Sequence, residues 1–469
     1  MFTLTRKSDR PLNAAMLTLT FVINIINQHD FSHHSKMLTL SCRIFHTESA
    51  MMKRHHSRSY PLLSALLFFF FVSWSSSSSL FSIWLHQEVG MRPSDTGIIF
   101  SVLSVSALCA QVCYGFIQDR LGLRKNLLWY MTALLILSGP AFLLFGYLLK
   151  LNIVLGSIFG GVFVGMTFNG GIGVLESYTE RVARQSTFEF GKARMWGSLG
   201  WAVATFFAGL LFNINPKLNF LVASCSGLVF FCLLARLNVS TPASLEKLET
   251  GISKVTLEDA LRLLTLPRFW ALVFFVIGTC IYGVYDQQFP VYFSSQFATL
   301  REGNAMFGYL NSFQVFLEAA GMFCAPWLVN RIGAKNGLIF AGMVMALRMI
   351  ASGWVEGPLL ISITKLLHAV ELPVLLVAIF KYNSLNFDKR LSSTLYLVGF
   401  ACTSSVIATV LSPLAGYSYE KYGFAQSYLI MGLMVFCTTF ISIFLLRSNK
   451  PLSERVVPAP SAVSILKSE

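Results

Sequence analysis

Charge is what this sequence has least of. Asp, Glu, Lys and Arg make up 12% of the 469 residues, against about 25% in ordinary soluble chains. Too few solvated side chains remain to cover a soluble protein of this size, while hydrophobic residues reach 55% and mean hydropathy is +0.63. A soluble globular protein is excluded, and a polytopic membrane protein is indicated. Acids are scarcer than bases, 22 against 36, for a formal charge of +14. The bases lie between apolar runs and not in one patch, so nucleic acid is not the expected partner. Metal-like clustering is absent from the nine cysteines, which are scattered and mostly in apolar runs. Cys109 and Cys113 share a helix face, and small apolar packing explains them. No nucleophile–base pair is visible either. His368 shares its stripe with Lys and Glu, without Ser or Cys, so no enzyme and no cofactor are expected.

What is present is a series of twelve apolar stretches, near residues 61–85, 97–118, 126–148, 152–176, 195–213, 218–235, 269–292, 305–328, 337–355, 359–380, 392–415 and 425–446. Lys and Arg concentrate at the two ends and in the even-numbered loops, which places both termini in the cytoplasm. The expected fold is an all-α membrane protein of twelve transmembrane helices. Met51-Met52-Lys53-Arg54 reads as a natural start. Residues 1–50 are therefore expected to be a non-native or disordered extension. They are followed by a six-helix half (51–236), a Ser-, Thr-, Glu- and Lys-rich cytoplasmic linker (237–267), a second six-helix half (268–447) and a cytoplasmic tail (448–469).

Gly115-Phe-Ile-Gln-Asp119-Arg120-Leu-Gly122-Leu-Arg124-Lys125 follows the second stretch. Its glycines permit a tight turn, and its bases anchor a cytoplasmic face. A weaker copy, Asn330-Arg331-Ile-Gly333-Ala-Lys335, follows the eighth. This is an internal repeat, six spans then six. The loop resembles the signature of the major facilitator superfamily, which implies two pseudosymmetric halves around a central cavity and names no substrate.

Polar residues inside apolar runs are the candidate sites, because a charge at mid-bilayer costs roughly 2.5–3.5 kcal/mol on insertion scales. Lys365, His368 and Glu371 recur every third residue, along one helix stripe. A His–Glu pair at that spacing suits a proton relay, although ion pairs that merely hold the helix would use the same residues. Asp286 in the seventh span needs a cation, and Lys365 is the candidate for a structural ion pair. Arg348 in the ninth cannot lose its proton and is expected to meet Glu371. Gln314 and Glu318 share one face of the eighth span. Asn169 and Glu176 lie in the fourth span and Arg194 opens the fifth, with Trp201 two turns along from it. An acid, an arginine and an aromatic ring can hold a sugar, the ring covering the C–H face and the polar groups taking hydroxyls. A packed Trp beside an ion pair is the alternative. Five successive serines, Ser75–Ser79, either bond back to helix carbonyls or face a polar cavity.

From about Phe68 to Leu446 the chain resembles the oligosaccharide:H⁺ symporter family. The carrying stretches are Thr96–Phe100, Phe188–Trp201, Asp286–Gln288, Phe307–Glu318, Lys365–Pro373 and Phe387–Phe400. The resemblance implies that Glu176 and Arg194 bind a sugar ring on which Trp201 stacks. It implies that His368 links sugar to Glu371, which carries the proton, and that Arg348 tunes Glu371. Lactose-type members have a second Asp–Lys pair where this chain has Gly283 and Ser404, and an acid where it has Val315. Those departures, with Tyr309–Glu318 and Phe387–Thr394, are similar to the sucrose-permease branch. Ile172 puts bulk near the sugar site, and the serine run replaces aromatics common in that branch.

The expected function is proton-coupled uptake of a small oligosaccharide, sucrose first, by a monomer in a bacterial-type inner membrane. The partners are the sugar, the proton as coupling ion and the lipid bilayer. A raffinose- or melibiose-type galactoside symporter and a proton-driven efflux transporter are the alternatives.

Overall fold

The computed structural model describes residues 59–121, 124–185, 188–237, 264–387, 395 and 397–447. The extension 1–50, most of the linker and the tail 448–469 lie outside the described residues. Among those described, all regular structure is helical: α1 (Ser59–Val89), α2 (Pro93–Leu121), α3 (126–151), α4 (Ile153–Arg184), α5 (Phe190–Ile214), α6 (Lys217–Arg236), α7 (Pro267–Ser294), α8 (Leu300–Ile332), α9 (Ala334–Trp354), α10 (Pro358–Asn386) and α11 (Gly399–Leu445). Ten are long and apolar enough to cross a membrane, and eleven when α3, bent by 59°, counts as one span. The sequence led us to expect twelve. The difference lies in α11, whose 47 residues form one element although Gly423 interrupts the helix at φ 81° and ψ 166°. Beyond Gly423 the chain doubles back. Ser418 and Ser427 share a hydrogen bond of 2.7 Å, and Tyr419 stacks on Phe424 at 4.7 Å. Residues nine apart in a straight helix stand roughly 13 Å apart.

Two hydrophobic cores form. One is built around Phe70, Phe142, Phe168 and Tyr178, the other around Phe275, Tyr285, Met345 and Tyr428. Large apolar side chains such as Phe116, Phe323 and Trp354 point outward, as lipid-facing positions do. Contacts between the halves cluster at one end of the bundle. There α2 lies on the first arm of α11, with the Ser101 hydroxyl donating to the Thr409 carbonyl at 2.6 Å, and α5 lies on α8. Gly97 and Gly209 make these approaches possible: a Cβ would overlap the Ser412 carbonyl at the first and the Asn304 carbonyl at the second. Buried Asn304 exchanges two hydrogen bonds with Gln87 of α1, at 3.0 and 3.2 Å.

Candidate functional site

Three of the helices that carry site residues, α4, α7 and α10, are irregular along their length. In α10 the chain turns at Leu367 between Pro358–Leu366 and His368–Asn386, and Pro373 withholds an amide from the Ala369 carbonyl. In α7 the break is at Cys280, and Pro290 leaves the Asp286 carbonyl without its helical donor. In α4 one π-turn, Gly165–Asn169, precedes the stretch that holds Glu176. Such irregularities re-aim side chains and occur often at functional sites.

In the C-terminal half, Arg348 is fully buried and bridges two acids. Its guanidinium donates to both oxygens of Asp286, at 3.0 and 3.3 Å, and lies 2.7 Å from Glu371 Oε1. His368 Nδ1 shares that same oxygen at 2.9 Å. Lys365 stands 3.9 Å from Asp286. The Asp286–Lys365 pair expected from the sequence is therefore the longer contact, and Arg348 is the main partner of Asp286. A planar guanidinium fork grips both oxygens of one carboxylate and still has donors for a second, where an ammonium acts as a point charge. Glu371 is completely buried, and its Oε2 has no partner among the described residues. The ring of Tyr285 lies 4.7 Å from the Arg348 guanidinium, and its hydroxyl bonds Ser352 at 2.8 Å. The sequence reading missed Tyr285. Its one signal was position, immediately before Asp286.

In the N-terminal half, Arg194 Nε donates to Glu176 across α5 and α4, and a second guanidinium nitrogen reaches Ser198 at 3.4 Å. Phe71 lies under the guanidinium at 4.3 Å. Each partner of this pair keeps 32% of its side chain exposed. Trp201 stands edge-on to Trp74 at 5.5 Å, and its carbonyl accepts from Ser75 at 3.0 Å. Trp74, also missed, stacks on Phe168 with the planes 7° apart. Ser77 and Ser79 bond back to carbonyls of their own helix, while Ser78 and Ser79 also line the central cavity, so the run does both of the things expected of it. Ile172 packs against the N-terminal core.

A central cavity of about 430 Å³ joins the halves. It is lined by Trp201 from one side and by Asp286, Gln314, Glu318, Lys365 and His368 from the other. Glu176 and Arg194 are not on its wall. They adjoin a neighbouring space through Ser198, which shares Trp201 and Glu318 with the main cavity. Asn169 lies off the main cavity, on a side chamber. Among the described residues no His, Cys, Asp and Glu group is arranged to hold a metal.

The profile of the LacY proton/sugar symporter family matches residues 51–459. The chain belongs to this family. It is a membrane transporter of sugar and protons, not an enzyme, and the proton is its coupling ion. The raffinose permease of Escherichia coli is 41% identical over 400 residues, covering 84% of this chain and 94% of that one. The sucrose permease of Escherichia coli is 38% identical over 408 residues, covering 86% and 97%. The melibiose permease of Enterobacter cloacae is 41% identical over 376 residues, covering 79% and 88%. The symporter is thus at least as similar to the raffinose and melibiose permeases as to the sucrose permease, and the expected sucrose branch is not singled out. Among solved structures, the nucleoside transporter NupG matches with a TM-score of 0.70 at 13% identity, covering 83% of this chain and 100% of that one. That likeness concerns the fold alone.

Proposed function

We propose that this symporter imports a galactosyl oligosaccharide of raffinose or melibiose type with protons, across a bacterial-type inner membrane and as a monomer. The buried Arg348–Glu371–His368 contact carries the coupling mechanism. Glu371 is the proton carrier, because it is fully buried and one of its carboxylate oxygens has no partner. With His368 neutral, the acids Asp286, Glu318 and Glu371 outnumber Arg348 and Lys365 by one. A single proton on Glu371 makes this group neutral, which lowers the cost of enclosing it in a closed cavity. His368 then links sugar to Glu371. Glu176 and Arg194 take hydroxyls of one ring, Trp201 takes its C–H face, and Asn169, Gln314 and Glu318 contribute further polar contacts. Asp286 and Lys365 belong to the ion-pair network that positions Arg348.

We read the two arms of α11 as separate spans, because 47 helical residues reach roughly 70 Å and a bilayer core is about 30 Å thick. That gives twelve spans with both termini on one side, which the Lys and Arg distribution makes the cytoplasmic side. The end where the halves meet is then extracytoplasmic. Sucrose is the second reading, favoured by uncharged Gly283 and Ser404 and by the Tyr309–Glu318 stretch.

The test is a sugar pulse given to unbuffered, energy-depleted cells. Alkalinisation with raffinose and melibiose is expected. A response to sucrose alone selects the second reading, and no response to any sugar rejects symport. Glu371→Gln is expected to keep sugar exchange and lose uphill accumulation. Equal loss of both in that variant overturns the assignment of Glu371.

A further inference from the structure

Beside the central cavity lies a chamber of about 250 Å³ among α1, α2, α3, α4 and α7. We propose that this chamber is a subsite for an additional sugar ring, and that it sets the length of oligosaccharide the symporter accepts. The inference rests on the sugar-symport reading above and deepens it.

Three observations carry it. First, the chamber opens on the central cavity, since Ser78, Phe100 and Gln287 line both. Second, its wall combines aromatic rings, Trp74, Phe100 and Phe142, with the polar ends of Ser78, Asn169 and Gln287. Rings cover the C–H face of a sugar while amides and hydroxyls take its hydroxyl groups. Third, those polar ends have no hydrogen-bond partner among the described residues. The contrast with their neighbours is direct: Ser75, Ser77 and Ser79 all spend their hydroxyls on backbone carbonyls. In the run 71–85, only Trp74 and Ser78 are half-buried and the rest are buried. They stand one turn apart on one face, and both line the chamber. Polar groups left unpaired beside an apolar wall need a partner from outside the protein.

Glu176 and Arg194 are not on this wall, so the chamber is separate from the pair proposed to hold the first ring. Trp74, edge-on to Trp201, stands at the boundary between the two spaces. A disaccharide leaves the chamber to water, and a trisaccharide reaches it. Small side chains keep it open: Ser104 and Ala107 of α2 line the chamber and not the central cavity.

Uptake of labelled raffinose, melibiose and sucrose into cells making the whole chain, Ala107→Phe or Ser104→Phe tests this, with protein level in the membrane measured alongside. The expected result is a fall of about tenfold or more in raffinose uptake relative to the disaccharides in both variants. An unchanged ratio in both variants overturns the inference, as does parallel loss of all three sugars in both. If the wild type moves disaccharides and no raffinose, the chamber inference fails and the symport reading stands. If it moves no sugar, the symport reading fails and takes the inference with it.

Discussion

Each half of the molecule holds an arginine against a carboxylate, and the two pairs are built differently. Glu176 and Arg194 leave a third of each side chain exposed and rest on one aromatic ring, Phe71. Arg348 is fully buried between two acids, with a histidine and a lysine at the margin. An exposed pair can exchange its internal bonds for bonds to a ligand at modest cost, because water already competes for it. A buried network cannot change its charge without changing its neighbours. The N-terminal pair therefore suits recognition of a neutral polyol, and the C-terminal network suits storage of a proton.

The largest effect should come from breaking the buried member. Arg348→Ala strips buried Glu371 of its guanidinium and leaves Asp286 only the longer contact to Lys365, and loss of about 3–5 kcal/mol is expected. Thermal unfolding in detergent and the amount of protein in the membrane measure it. Adding Glu371→Gln should restore part of the loss, because one of the stranded charges is then gone. A double variant as unstable as the single one would mean that the network acts through packing and not through charge.

Next comes the exposed member. Under the proposed function, Arg194→Ala and Glu176→Gln each remove charge-assisted hydrogen bonds to sugar, worth about 1.5–3 kcal/mol apiece. Sugar affinity should fall roughly 10- to 150-fold, while the melting temperature stays near that of the parent. A large drop in stability with unchanged affinity would reverse the contrast between the two pairs.

Much of this was legible in the sequence. The Lys365–His368–Glu371 stripe follows from spacing alone, because a helix puts every third or fourth residue on one face. Charge scarcity and the repeated loop after the second and eighth spans pointed to the fold class. What could not be read was the choice among partners. Asp286 had two cations within reach, and which one it meets depends on where α7, α9 and α10 bend. The turns at Cys280 and Leu367 are products of packing, and no glycine or proline stands at either position. The serine run stayed open between two readings for a similar reason. A hydroxyl in a helix can turn to its own backbone or to a cavity, and Ser77 and Ser78 are alike until their surroundings are known. Trp74 was passed over because a tryptophan in an apolar run looks like core.

The smallest effect concerns access to both sites at once. Gly209 of α5 lies against the backbone of Asn304 and Ala305 in α8, where a Cβ would come within 2.8 Å of the Ala305 Cα. Both obstacles are backbone, so a valine there is relieved only by moving the helices apart. Overpacking of this kind costs about 1–3 kcal/mol, and it falls on the arrangement in which these two backbones touch. Asn311, further along α8, faces the central cavity. With the native cysteines replaced by serine, Asn311→Cys reports access from this end to a water-soluble thiol reagent. Gly209→Val should raise its labelling rate about 5-fold or more, the factor that roughly 1 kcal/mol makes in an equilibrium constant. The conservative Gly209→Ala tests the same geometry, since its Cβ meets the same atoms. If neither variant speeds labelling, the close approach of α5 and α8 is not what keeps that end shut, and the Gln87–Asn304 amide pair becomes the contact to break.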